Sequence, residues 1–241
     1  MAAHGITLRY CTAAGDEVET PLDLARPDAI VGGLPIRTPP SYPGRTSYPG
    51  FFWSATTGRV HVYESLLELD RLWLADFDPA VGSLTTQPFQ AIGSDGDVVR
   101  SHVPDLMLMS PDHRVTVVDV KPSAFLDLPK VKAQFDWTRR WCDERGWGYE
   151  VFSGADPHVL RNIKFLAVGR RPDRLPAEAL VRARQVVRDG LTWGAATSAD
   201  GRDSSLQVAL AALIWSGHVT IELSRPLSSG SLLRVQEGAA A

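Results

Sequence analysis

Two carboxylates and an amine stand at the ends of two short apolar runs. In "HVPDLMLMSPDHRVTVVDVKP" (102–122), Asp105 precedes the run 106–109, Asp119 closes the run 115–119, and Lys121 follows two residues later. If the runs form an antiparallel hairpin around "SPDHR" (110–114), Met109 faces Val115, Met107 faces Val117 and Asp105 faces Asp119. Directly opposed side chains have Cβ atoms ~5 Å apart, where like charges repel. Alternation along the strand puts Lys121 on the face of Asp119. Two carboxylates at that distance do not both ionise without compensation. A divalent cation supplies it, and hard oxygen donors suit Mg2+ or Mn2+.

The same residues allow a purely structural reading. Asp105 after a proline can simply begin a strand, and Lys121 before Pro122 can end one. Pro-Asp also occurs at 27–28, 111–112 and 172–173, but only the pair at 104–105 leads into an apolar run and then Asp-X-Lys before a helix. A third acid would have to come from an upstream helix. "YESLLELD" offers Glu64 and Glu68, four apart and so on one helix face, which reads equally as a solvated acidic face.

The elements that must position these groups are legible in outline. Residues 6–20 suggest a hairpin, and the Pro-, Gly- and Tyr-rich stretch 34–52 an extended segment without a helix. Apolar residues at 62, 66, 69, 73 and 77 predict a helix over 62–78 with that stripe as its core face. Residues 81–92 predict a strand, with "GSDGD" as a turn. Val131, Phe135, Thr138 and Cys142 predict one face of a helix that stops near Gly146. A strand is expected at 148–153 and a helix at 157–169. The segment 170–177 reads as a boundary. After it come a helical stretch with Arg182, Arg184 and Arg188, the loop "TSADGRDSS", an apolar helix, the strand "HVTIELS" and a fraying tail "QEGAAA".

A helix acid followed by Pro-Asp and Asp-X-Lys on paired strands resembles the PD-(D/E)xK nuclease superfamily, here in Glu68, Pro104-Asp105 and Asp119-Val120-Lys121. "ESLLELD", "QPF" (87–89), "HVPDLML", "VVDVKP", "WCDERGWGYEVF" and "NIKFL" (162–166) narrow the resemblance to TnsA-type endonuclease subunits of heteromeric transposases, over about residues 46 to 168. The resemblance implies an α/β fold: a restriction-endonuclease-like mixed sheet flanked by helices. It implies an N-terminal extension (1–45), a nuclease domain (46–169) and a small winged-helix-like C-terminal domain (176–241). It favours Glu68 over Glu64 as the helix acid. It implies a divalent ion, Mg2+ or Mn2+, held by Glu68, Asp105, Asp119 and the Val120 carbonyl, with Lys121 beside the attacking water.

The activity so implied is metal-dependent cleavage of DNA at the 5′ ends of a mobile element, with a DDE-type transposase subunit and an ATPase regulator as partners. Two other readings stand beside it: a stand-alone restriction- or repair-type nuclease, and a non-catalytic transposition scaffold of the same fold. For DNA contacts, Lys130, Lys132, Arg139, Arg140 and Arg145 make the helix after the hairpin basic, as Arg37, Arg45 and Arg59 do the earlier segment. Tyr42, Tyr48, Phe51, Phe52 and Trp53 are either a lid or a staple onto the core. His102 lies near the cluster without an assigned role, and Gln134 and Thr138 would sit beside it.

Composition adds few constraints. The 241 residues, 44 % hydrophobic and 22 % charged with a net charge of −3, are ordinary for a folded chain. No apolar run approaches the ~20 residues of a membrane span. The start "MAAHGITLRY" lacks a basic-then-apolar leader layout, and two distant cysteines suggest no disulfide framework, so a cytoplasmic setting is expected.

Overall fold

The structure is a computed structural model and describes residues 5–37, 48–198 and 204–236. It is a mixed α/β architecture whose chain divides into two compact units, Met1–Gly154 and Ala155–Ala241. This division falls ahead of the boundary expected at 170–177. Residues 157–169 group with the C-terminal unit, and the described residues 5–37 with the first.

The first unit opens with β1 (Thr7–Cys11) and β2 (Glu17–Pro21), the expected hairpin, followed by the short helix α1 (Pro27–Val31). A second hairpin joins β3 (Gly50–Trp53) to β4 (Val60–Tyr63) and leads into α2 (Leu66–Phe77). Then come β5 (Ser83–Thr86), β6 (Gln90–Asp95), β7 (Val98–His102), β8 (Leu106–Met109), β9 (Val115–Val120), α3 (Pro129–Arg145) and β10 (Gly148–Phe152). One four-stranded sheet runs β2-β1-β6-β7, and a second, mixed one runs β10-β9-β8-β5. In the second sheet only β9 and β10 are parallel.

Three sequence expectations change here. The single strand 81–92 is two strands in different sheets, broken at Gln87-Pro88-Phe89. Pro88 has no N–H for a ladder, and Gln87 takes a left-handed backbone with φ +46°. The expected turn "GSDGD" begins inside β6, and the hairpin turns only at Gly96 (φ +62°) and Asp97. The core face of α2 is rotated: Glu68, Leu72, Ala75 and Asp76 are buried, whereas Leu66 is 53 % exposed. Trp73 packs edge-on to Phe52, its ring centroid 4.8 Å away. Asp76 is buried because its carboxylate accepts Ser54 Oγ, Ala55 N–H and Thr56 N–H, tying down the loop before β4.

The first unit's apolar core is built from inward positions of both sheets, among them Leu8, Ala91, Met107 and Val117, closed by Trp137 and Trp141 of α3. Of the expected α3 face, Thr138 and Cys142 are buried, while Val131 and Phe135 are half-buried. Gly146 stops the helix in a left-handed conformation (φ +74°), as expected.

The second unit contains α4 (Pro157–Leu166), α5 (Ala177–Val186), α6 (Trp193–Ser198), α7 (Ser204–Trp215), β11 (Val219–Ile221) and β12 (Leu233–Val235). Apolar α7 forms its centre, with Leu206, Leu210 and Leu213 buried. Gly169 has no room for a side chain, since a Cβ there would lie 2.2 Å from the Ala212 backbone nitrogen. β11 and β12 form a two-stranded antiparallel sheet. Of the expected loop 197–205, residues 199–203 lie outside the described residues, as do 237–241 of the expected tail. Among the described residues no helix is long and apolar enough to cross a membrane.

Candidate functional site

The register of the β8–β9 hairpin decides where the acids go. Met109 pairs with Val115, Met107 with Val117 and Leu106 with Val118, and the five-residue turn 110–114 is closed by Ser110 N–H to the Arg114 carbonyl. His113 adopts φ +62° within that turn. The strand pairing ends at Leu106 with Val118, and Asp105 N–H donates to that same Val118 carbonyl, so Asp105 lies just beyond the ladder at the end of β9 that carries Asp119. Asp105 Oδ2 accepts the Val120 N–H at 2.6 Å.

Burial is the largest influence on the Asp105 carboxyl, and the Glu68 and Asp119 charges come next. Together they hold its pKa well above the usual carboxylate range, against the Val120 hydrogen bond and Arg37. Asp105 and Asp119 line one recess, and Glu68 acts on Asp105 as a further like charge.

Each carboxylate also has a partner. Asp119, 2 % exposed, faces His102 Nε2 at 2.7 Å through Oδ1 and 2.9 Å through Oδ2, and accepts the Tyr149 hydroxyl at 2.6 Å. Burial and the Asp119 charge push the Tyr149 phenol up, so it stays a donor. Glu68, 7 % exposed, accepts Glu64 N–H (2.8 Å) and Ser65 Oγ–H (2.9 Å), while its own N–H donates to Ser65 Oγ. This is a capping box read straight from Ser-X-X-Glu, with the carboxylate reaching Glu64 N–H rather than the N-cap's own. Burial raises the Glu68 pKa more than these bonds lower it. Glu64 is held apart from the cluster, pairing with Arg37 at 3.2 Å and accepting from Gln87 Nε2.

A cavity of about 600 Å³ opens over the hairpin end. Asp105, Asp119, Val120 and Lys121 line it, as do Arg37, Arg100 and His102. From α3 it receives Lys130, Val131, Gln134 and Phe135. Arg37 and Arg100 are neutralised by Glu64 and Asp95. Glu68 does not line the cavity.

Most of the expected DNA-contacting cations are committed elsewhere. Lys132, Arg139 and Arg140 pair with Asp127, Asp136 and Asp95. Arg145 donates to the Leu22 and Ala25 carbonyls, and Arg59 to the carbonyls of Val31, Gly32 and Gly33. Phe52 is a buried staple, while Phe51 and Tyr48 are exposed. Arg45 and Tyr42 lie outside the described residues.

Two site residues escaped the sequence reading. Tyr149 reaches Asp119 because β10 pairs parallel to β9, Tyr149 opposite Val117 and Val151 opposite Asp119. A parallel register is not written in either strand. Gln87 is fully buried at the strand break. Its N–H donates to the Asp105 carbonyl and its carbonyl accepts Ile36 N–H. The signal available was Gln-Pro inside an apolar run.

Among the described residues, no group of three or more His, Cys, Asp or Glu side chains is gathered as a metal-ligand set. Asp105 and Asp119 present hard oxygen donors to the cavity. The Glu68 and Asp119 charges add to burial in disfavouring the Asp105 anion, an effect that a cation would oppose. A carboxylate offers about four lone-pair sites, so Asp119 keeps acceptor capacity beyond His102 and Tyr149. No protein-family model and no curated protein matches the chain.

Proposed function

We propose that this chain is a metal-dependent DNA endonuclease of PD-(D/E)xK type, the TnsA-like subunit that cuts the 5′ ends of a mobile element. The observation that carries the reading is the hairpin register. It brings Asp105 to the end of β9, where its carboxylate accepts Val120 N–H and lines, with Asp119 and Lys121, one cavity whose other cations come from three further segments. The mixed β10-β9-β8-β5 sheet with its flanking helices would be the restriction-endonuclease-like core. The C-terminal helices followed by a two-stranded sheet would be the winged-helix-like part. α7 carries no lysine or arginine, which favours contact with protein, an ATPase regulator or a DDE-type transposase, over groove reading.

In the proposed mechanism, Asp105 and Asp119, with the Val120 carbonyl, would hold Mg2+ or Mn2+, and Glu68, set back from the cavity wall, would act on it through a water. When bound, that ion supplies Lewis acidity and a water more acidic than bulk. Lys121 neutralises charge building on the phosphate and orients the water. His102 and Tyr149 fix the Asp119 carboxylate so that it needs no reorganisation during the reaction. A DNA substrate implies work in the cytoplasm.

The test is cleavage of end-containing DNA by the full chain with Mg2+, with and without the partner transposase, beside Lys121→Ala. Cutting that requires the partner and disappears in Lys121→Ala supports the proposal. Cutting by the purified chain alone favours a stand-alone nuclease.

The second reading, a non-catalytic scaffold, draws on one observation: the Glu68 carboxylate is already engaged at the helix cap. Transposition unchanged by Lys121→Ala would establish it and sink the enzyme.

A further inference from the structure

We infer that Lys130 and Gln134 form a subsite for a DNA phosphate adjacent to the one hydrolysed, an assignment that rests on the nuclease reading above. The two residues are four apart in α3, hence on one helix face, and both line the cavity. Gln134 Nε2 is buried and has no hydrogen-bond acceptor among the described residues. Buried amide donors are ordinarily satisfied, so this orphan, on a residue of the cavity wall, calls for an acceptor that the described residues do not supply.

Lys130 supplies the charge. Its α3 neighbours Lys132, Arg139 and Arg140 each have a carboxylate partner, whereas Lys130 has none within ion-pair reach among the described residues. It lines the same cavity as Asp105 and Asp119 and yet is not drawn to either. The two groups are an ammonium and an amide N–H, both donors. Their complement is an anionic oxygen cluster, and a phosphodiester presents one at each step of a strand. Lys121, two residues from Asp119 on the same strand end, serves the phosphate under attack. Lys130 and Gln134, on a different element of the same cavity wall, are left for its neighbour.

The experiment uses the full chain and a fluorescein-labelled DNA duplex. Binding is read by anisotropy in EDTA at about 0.1 M salt, and cleavage of end-containing DNA is read separately with Mg2+ and the partner transposase. Lys130→Ala is expected to weaken binding about tenfold and to reduce the slope of log K against log salt by about one. Gln134→Leu removes an uncharged donor, so affinity falls about tenfold while the salt slope stays as in the wild type. Gln134→Glu, isosteric but acidic, weakens binding further and guards against a packing artefact in the leucine variant. In cleavage, all three raise KM and leave kcat within about twofold.

Wild-type cleavage with variants that bind and cut like the wild type overturns the subsite alone. A fall in kcat at unchanged KM also overturns it. Wild-type binding that the variants weaken as described, without any cleavage even when the partner transposase is present, upholds the phosphate subsite and overturns the nuclease reading. A wild-type chain that binds no DNA overturns both.

Discussion

His102 and Asp119 come from strands of different sheets and meet with His102 Nε2 2.7 Å from Asp119 Oδ1. The contact joins β7 to β9 across the recess where Asp105 and Lys121 converge. With Tyr149 on Oδ2, it fixes the rotamer of a buried carboxylate. Removing the hydroxyl in Tyr149→Phe takes away one charge-assisted bond, which is expected to cost about 1–3 kcal/mol. Urea titrations of the two proteins, compared at equal slope, measure the difference. A variant as stable as the wild type would mean that the bond contributes nothing net.

Asp105 opposes folding in its ionised form. Its folded pKa and that of Glu68 are both raised, so the folded chain holds protons that the unfolded chain has released. Their stabilising contribution is fully present below the ordinary carboxylate pKa of about 4 and is lost as pH rises through the raised values. Asp105→Asn removes this penalty. Its Tm at pH 8 is expected to exceed the wild type's by about 2–4 °C, while cleavage is abolished. The gain should shrink as pH falls towards 5, and thermal melts at the two pH values check the sign.

Divalent ions should act on the same charge. Mg2+ or Mn2+ at millimolar concentration is expected to raise the wild-type Tm at pH 8 and to leave Asp105→Asn unmoved. EDTA should reverse the shift. Equal shifts in both proteins would place the ion somewhere other than the aspartate cluster.

The helix acid has a structural duty separable from chemistry. Ser65→Ala breaks the cap but leaves Glu68 in place, and is expected to destabilise by about 1 kcal/mol. Glu68→Gln keeps a side chain able to accept from Glu64 N–H, so its stability should stay closer to the wild type. If Glu68 also serves hydrolysis, Glu68→Gln loses cleavage out of proportion to its stability. Parallel melts and nicking assays separate the two roles.

The α2 helix is tied to the sheet by a two-pronged bond, Arg71 Nε and Nη2 to the Glu150 carboxylate, each at 2.8 Å. Arg71 is mostly buried and Glu150 about a third exposed. Glu150→Ala strands the arginine and is expected to cost about 1–2 kcal/mol after allowance for solvent screening. Restoration of stability by the double variant Arg71→Met, Glu150→Ala would identify the unpaired charge as the cause.

The hairpin carrying Asp105, Asp119 and Lys121 was legible because its turn chemistry and strand period agree, and both are local properties. The acidic helix was legible as a helix, but its buried face was not. Hydrophobic periodicity marked Leu66 and Leu69, whereas burial follows polar duties that periodicity does not encode, the cap at Glu68 and the loop clamp at Asp76. The broken strand at Gln87 had a local mark in Pro88, whereas the parallel partner that brings Tyr149 to Asp119 depends on contacts distant along the chain. Those contacts leave no pattern in any window of sequence. The cap itself has a local signal, Ser-X-X-Glu at 65–68, which hydrophobic periodicity passes over.

Gln87 N–H donates to the Asp105 carbonyl, so the excursion from β5 through β6 and β7 back to β8 is buckled shut at its own root. The β6–β7 arm leaves the second sheet beside one aspartate and, through His102, leans back upon the other. Its tip carries exposed Val98 and Val99. That end of the hairpin is moored to α3, where Trp137 Nε1–H donates to the Ser94 carbonyl and Arg140 pairs with Asp95.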